Sequence, residues 1–468
     1  MNAQNKRSHE TPPWRFLAAI LILSCLVLIS GSHPLRAEAH VHTFVVDSLA
    51  DDEDASWGDG ICATAIAECT LRAALTEAWA LWDGSTFPPA DLDTHTIQVP
   101  EGTYYIGSVL NELGVGGNVV INGAGRDLTI LYGQGSGVIY VGLGTTATIK
   151  DLTITNGIAG TGAGINNVGD LTLTDVAVTN SSATSTWGGG IRNSNQLVMA
   201  RVTVSGNQAA QLGGGIFNDE GATLTILDST ISGNSVTDTG GAGGGIYNSG
   251  ASTPGTVTIE RSTLSGNTAP FGGGLDNWGE AWLANVTISG NSATTTGGAG
   301  GGAISNNGSA TLDLKSVTIA NNTTTTSRAL VNVNELGLNI AHTIVAGNTG
   351  GDCDLISNSF TGATHHNLDS DGTCFTGIGS KLWSTDPLLA ALGDNGGFTQ
   401  THALGTGSPA IDAGDSTNGC KSGGVLLTSD QRGWPRTVDG DVDGTAVCDI
   451  GAFEAPPPYQ LWLPLIMR

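Results

Sequence analysis

Positive charge is what this chain has least of. Its 17 Lys and Arg face 42 Asp and Glu, a formal net charge of −25. Nucleic-acid binding needs clustered cations to neutralise phosphates, so no nucleic-acid partner is expected. The same balance disfavours a polyanionic substrate, except where a local basic cleft escapes it. Charged residues of either sign reach only 13% and aromatics 5%, yet the apolar fraction of 39% is too high for a disordered polymer. A soluble, self-repelling extracellular protein fits these proportions.

Long apolar runs are missing too, apart from one. Phe16 to Ile29 follows Lys6, Arg7 and Arg15, and Ala37-Glu38-Ala39 then supplies an A-x-A cleavage site. The run is short of the ~20 residues a membrane helix needs. It reads as a signal peptide over 1–39 with cleavage before His40, in preference to lipidation at Cys25, because the apolar run continues past that cysteine. No membrane span is expected in the mature chain, which is read as secreted or held at the cell surface. Six cysteines then remain: Cys62, Cys69, Cys353, Cys374, Cys420 and Cys448. An even number in an exported chain reads as disulfides, with the sequence-local pairs 62–69, 353–374 and 420–448 the simplest arrangement. Sequence alone does not choose among the pairings. Paired C-x-x-C spacing for zinc is absent.

What the chain has in abundance is glycine, 70 residues, and much of it falls in register. After successive glycine clusters come Ile165, Ile191, Ile216, Ile246, Leu275 and Ile304, spaced 25 to 30 residues apart, each followed two residues later by Asn167, Asn193, Asn218, Asn248, Asn277 and Asn306. Between them lie short Val/Ile/Thr-rich runs with period-2 alternation, which means strands burying one face. A fixed period of this length means a solenoid, and the lack of a 3.6 period excludes a helical one. The expected fold is all-β, a parallel β-helix of about nine to eleven coils whose equivalent residues stack in columns. The aliphatics fill the bore, and the Asn column turns inward as an amide ladder. A second column, Asn207, Asn234, Asn267, Asn291 and Asn322, closes each S-G-N turn. A third holds Asp151, Asp175, Arg201, Asp228, Arg261, Asn285 and Ser316, read as an ion-pair ladder at a corner in preference to a charged binding strip.

A solenoid's open ends need caps. Leu71, Ala74, Leu75, Ala78 and Trp79 recur at helical spacing and predict a short N-terminal cap helix. Within it, Cys69-Thr70-Leu71-Arg72-Ala73-Ala74-Leu75 resembles the CSLREA signature of secreted bacterial β-helix proteins, with Thr for Ser, Ala73 for Glu and Leu75 for Ile. The stretches DPLLAALGDNGGFTQTHALGTGSPAIDAGD (386–415) and SDQRGWPRTVDGDVDGTAVCDIGAFE (429–454) resemble the choice-of-anchor Q C-terminal region, and the GGGIxN/SGN repeats resemble those of polymorphic outer-membrane proteins. Together these resemblances imply a right-handed, pectin-lyase-like parallel β-helix outside the cell, and they imply no substrate. The expected organisation is a signal peptide (1–39), a CSLREA-like cap region (40–96), repeats (97–350), a choice-of-anchor Q-like region (351–455), and a proline spacer with a short apolar tail (456–468). That tail reads as a sorting anchor or as a last strand packed on the cap.

Three sets of residues are candidates for chemistry. Asp439, Asp441, Asp443 and Gly444 open like a calcium loop, with Asp449 beside the position where an EF-hand has its closing Glu, so a structural calcium is the one cofactor the sequence suggests. His365-His366 reads as a surface pair. On the outer face, Phe217, Tyr247 and Trp278 form an expected aromatic platform for a glycan or cell-surface partner, flanked by Arg192 and Asp276, with Trp187 and Trp282 nearby. The bland alternative is plain outer-face stacking. Motifs associated with pectate lyases and polygalacturonases (W-I-D-H, N-T-D with D-D, G-H-G) do not occur, and the basic residues between 148 and 348 are only Lys150, Arg192, Arg201, Arg261, Lys315 and Arg328. The expected function is therefore non-catalytic adhesion or glycan binding, with a polysaccharide lyase or glycoside hydrolase as the alternative.

Overall fold

In a computed structural model, described residues are 41–82, 94–107, 111–296, 300–334, 337–355, 365–375, 382, 384–417, 419–422 and 424–457. The expected signal peptide over 1–39 and most of the expected 456–468 tail lie outside them.

Each repeat closes one turn of a parallel β-solenoid. One coil runs through strands Ile216–Asn218, Thr223–Leu227, Thr230–Ser232 and Ser235–Val236. Among the described residues these stack into three parallel sheets of 18, 10 and 7 strands. The register is the one the repeat demands: Ile191 pairs with Ile216, Ile216 with Ile246, and Ile246 with Leu275, all fully buried. A one-residue slip would turn every such aliphatic to solvent, so burial of the bore holds the alignment.

Polar columns supply what the bore lacks. Asn193 Nδ2 donates to Asn218 Oδ1 at 2.8 Å, Asn218 to Asn248 at 2.9 Å, Asn248 to Asn277 at 2.8 Å and Asn277 to Asn306 at 2.7 Å. The second ladder runs Asn207 to Asn234, Asn267, Asn291 and Asn322, and continues to Asn348. An amide suits this place because it donates and accepts at once, so every buried member finds a partner in the coils above and below. Glycine is required where those coils touch. Gly213 has φ +65°, and a Cβ on Gly214 would stand 2.5 Å from Gly244 O.

The corner column adopts a left-handed backbone at Asp151, Asp175, Arg201, Asp228, Arg261, Asn285 and Ser316. Its charges pair between coils, Arg201 with Asp175 at 2.6 Å and Arg261 with Asp228 at 2.8 Å. The corner is thus an ion-pair ladder, as expected. Two further members, His342 and His366, share the same conformation in the next two coils.

At the N-terminal end, strand Thr43–Val45 pairs with His95–Val99, and the helix Leu71–Leu81 buries Leu71, Ala74, Leu75 and Ala78 on the bore. Thr70 caps it by accepting from Ala73 N at 3.0 Å. Trp79, expected on the buried face, is 56% exposed; it lies across Gly116, where a Cβ would come within 2.7 Å of its ring. All three sequence-local disulfides are formed, Cys62–Cys69, Cys353–Cys374 and Cys420–Cys448. No helix among the described residues is long and apolar enough to cross a membrane.

Downstream of the repeats the chain does not simply sit on the last coil. It folds back along the long sheet: Thr399 Oγ1 donates to Arg261 O, Gln431 meets Thr263 and Thr287, Arg436 meets Asn285, and Ala452 N donates to Thr318 Oγ1. Asn285 and Ser316, the uncharged members of the corner column, stand on this covered stretch. Within the strap Arg432 pairs with Asp430 at 2.7 Å and is stacked between Trp434 and Phe453, while Arg436 pairs with Glu454 at 3.3 Å.

Candidate functional site

The strap leaves a cleft of about 320 Å³ beside its hairpin, lined by Asp313, Lys315, His342, His365, Asp415 and Lys421 among others. Register brings the first four together. Asp313 and Lys315 occupy alternate positions of strand Thr311–Ala320, so both leave the same face of the sheet. Lys315 pairs with Ala341 in the next coil, and Ala341 bridges to His365 in the one after. The hairpin Lys421–Ser422 and Val425–Leu426, tied down by Cys420–Cys448, brings Lys421 to the opposite wall.

Lys315 is 7% exposed and its Nζ lies 2.7 Å from Asp313 Oδ1. Burial lowers its pKa below the usual lysine range, and the Asp313 carboxylate opposes that shift only in part. His342 is 1% exposed. Burial, reinforced by the rings of His365 and His366 and by Arg436, pushes its pKa down to about 3. The His342 and His366 rings stack at 5.6 Å and 6°, His365 meets both edge-on, and Nδ1 of His365 lies 2.9 Å from Nδ1 of His366. The His365-His366 pair is therefore part of a three-histidine cluster and not an isolated surface pair. Sequence could have found the third member: His342 and His366 continue the corner column in step.

The outer aromatic column forms, but not as a platform. Phe217 lies between Trp187, at 4.9 Å, and Tyr247, at 5.4 Å, with near-parallel rings, and it is 3% exposed. Its faces are already covered, so the expectation that Phe217 meets solvent is corrected. Arg192 sits over Trp187 and pairs with Asp219 at 2.8 Å. Asp276 is buried as well: it accepts from Trp278 Nε1 at 2.6 Å and from Asn307 Nδ2 at 3.1 Å. Burial pushes it up to about 7 despite those donors. It is not a flanking contact for a ligand. Tyr247 is half-buried, and Trp278 and Trp282 are the large exposed aromatics of this region. Alternation set the direction of these side chains correctly. Their neighbours one coil away then covered them.

The acidic loop also departs from expectation. Carboxylate oxygens of Asp412, Asp439 and Asp441 come within 4.8 Å of one another. Asp443 accepts from Thr445 N, closing a local turn, and Asp449 stands apart. Asp449 is buried, taking hydrogen bonds from Asp412 N and Ala455 N, and burial beside Glu454 raises its pKa. A fourth ligand from Asp449 is thereby excluded in this arrangement. Asp412, 27 residues before Asp439 in sequence, carried no local signal.

Among known proteins, a family model described as right handed beta helix region matches residues 117–293. No curated protein matches the chain. Two solved structures align with it. One, described as the crystal structure of pectate lyase Pel9A, is 15% identical with TM-score 0.41, over 89% of this chain and 98% of that one. The other, ORF18 of Geobacillus virus E2, is 10% identical with TM-score 0.32, over 86% and 69% respectively. Both similarities are too distant to carry an argument about activity. By its coil register and its family match, the chain is an all-β, right-handed parallel β-helix, with one short helix near the N-terminal end among the described residues.

Proposed function

We propose that this protein is an extracellular polysaccharide-processing β-helix, and that its working site is the cleft holding Lys315, His342 and His365. The observation that carries the reading is Lys315: a buried amine beside Asp313, open to a cleft and with its pKa lowered by burial, is placed to abstract a proton from a bound chain. On a uronate-containing chain, the Lys315 amine takes the proton on the carbon next to the carboxylate. The neighbouring C–O glycosidic bond breaks, a C=C bond forms, and the leaving oxygen takes a proton from solvent. Lys421 supplies positive charge to the uronate, the local exception to an acidic surface. The resemblances to CSLREA, polymorphic outer-membrane and choice-of-anchor Q segments support export and a surface location.

A second reading, non-catalytic glycan or cell-surface binding, is favoured by the exposed Trp278 and Trp282. If calcium acts in this protein, Asp412, Asp439 and Asp441 are the ligands to examine, and its role would be structural. One experiment separates the two main readings. Purified protein is incubated with a panel of uronate polysaccharides, following unsaturated product by absorbance and binding by affinity electrophoresis. Product that disappears in Lys315→Ala supports the cleft reading. Binding without product, lost in Trp278→Ala/Trp282→Ala, supports the second.

A further inference from the structure

The corner column places a polar side chain at the same left-handed position in coil after coil, and its early members pair by charge. Its last two described members are histidines, His342 and His366. His342 and His366 stack ring on ring, and His365 closes the third side. One ring nitrogen from each lies within 4.8 Å of one from each of the others.

His342 gives the second observation. Among the described residues, neither of its ring nitrogens has a hydrogen-bond partner, although the side chain is 1% exposed. Buried polar atoms of this kind are nearly always satisfied. The backbone around it is held firmly: His342 N donates to His365 O at 3.2 Å, and Gly451 N donates to His342 O at 2.8 Å. An imidazole fixed in this way, with both nitrogens unused and two more imidazoles beside it, has the makings of a ligand.

We propose that His342, His365 and His366 form a binding site for a first-row transition-metal dication of the zinc type, with an open coordination position toward the cleft. Three imidazoles select borderline metals over calcium or magnesium, which take oxygen. Metal–nitrogen bonds of about 2.0–2.1 Å place the ligand nitrogens roughly 3.4 Å apart in a tetrahedral site. Ligation requires the parallel His342 and His366 rings, stacked at 5.6 Å, to turn so that one ion lies in the plane of each. Asp313 and Asp415 offset the charge from the cleft wall, and Lys315, Lys421 and Arg436 are the cations nearby. The Cys420 and Cys448 sulfurs also approach His342, but they are joined to each other and do not ligate. The site does not depend on the polysaccharide reading; a metal can bind whether or not the cleft does chemistry.

The test is made on the mature, disulfide-intact protein, stripped with chelator and retitrated with Zn2+ by calorimetry and with Co2+ by visible absorption. The expected result is one Zn2+ per chain and a Co2+ d–d spectrum of low coordination number. His365→Ala and His366→Ala, both at half-buried positions, should each weaken Zn2+ by more than the ~10–100-fold that loss of a merely supporting hydrogen bond causes. Asp441→Asn, in the acidic loop, should leave Zn2+ binding unchanged. No stoichiometric Zn2+ binding by the wild type overturns the proposal, and so does binding that survives the His365→Ala/His366→Ala double variant. Should a variant misfold, the wild-type Co2+ spectrum alone decides, since six-oxygen coordination gives only weak bands.

Discussion

Replacing Asn248 tests whether the inner amide ladder holds the coils together. Its Nδ2 donates to Asn277 Oδ1 at 2.8 Å, Gly255 O at 2.9 Å and Glu280 O at 3.2 Å, and its Oδ1 accepts from Asn218 at 2.9 Å. Asn248→Ala removes these while its neighbours keep weaker alternatives: Asn218 still reaches Ala222 O at 3.2 Å, and Gly255 O still accepts from Glu280 N at 2.8 Å. At ~1 kcal/mol net for each of three good bonds, with little added for stranded groups, the expected loss is about 3 kcal/mol. Asn248→Asp should be worse at neutral pH, because a carboxylate would face Asn277 Oδ1 and Gly255 O with no cation near. That buried carboxyl would have a raised folded-state pKa, so its penalty should shrink as pH falls and the protonated acid regains a donor. A long repeat array need not unfold in one step. Urea unfolding should therefore be followed by circular dichroism together with hydrogen exchange across residues 246–291. A loss below ~0.5 kcal/mol for Asn248→Ala, or an Asp variant no worse than Ala at neutral pH, would refute the ladder as a stabilising element.

Two further outcomes follow from the buried outer column. Phe217→Ala should cost ~3–5 kcal/mol, the price of a core aromatic, measured by the same unfolding assay; a near-neutral change would restore the exposed-platform picture. Asp276, whose folded pKa of about 7 lies above its unfolded value, binds its proton more tightly when folded. Its contribution is present below the unfolded pKa and is lost as pH rises toward about 7. Stability should fall over that window by up to ~1.4 kcal/mol per pH unit, and Asp276→Asn should flatten the slope in a pH series of urea midpoints.

The repeat period, the inward aliphatics and both asparagine ladders were legible in the sequence because each depends on one coil meeting an identical copy of itself. A residue such as Ile216 meets Ile246 wherever the period repeats, so pattern is equivalent to contact. The cap helix was readable for a related reason, its partners lying close along the chain, whereas the three sequence-local disulfides were only the simplest of the possible pairings until the structure showed them formed. What tertiary structure alone decided are contacts without a period. Outward direction did not mean exposure at Phe217, since Trp187 and Tyr247 cover it from adjacent coils. Asp449 stood next to the acidic loop in sequence and was drawn into the buried network of Glu454, while Asp412 came in from a distant segment. Lys421 reached the cleft only because the strap turns back along the sheet. The three histidines lie between these cases: the corner column already placed His342 next to His366, but burial, set by the strap around Gly451, left the ring nitrogens of His342 without hydrogen-bond partners among the described residues.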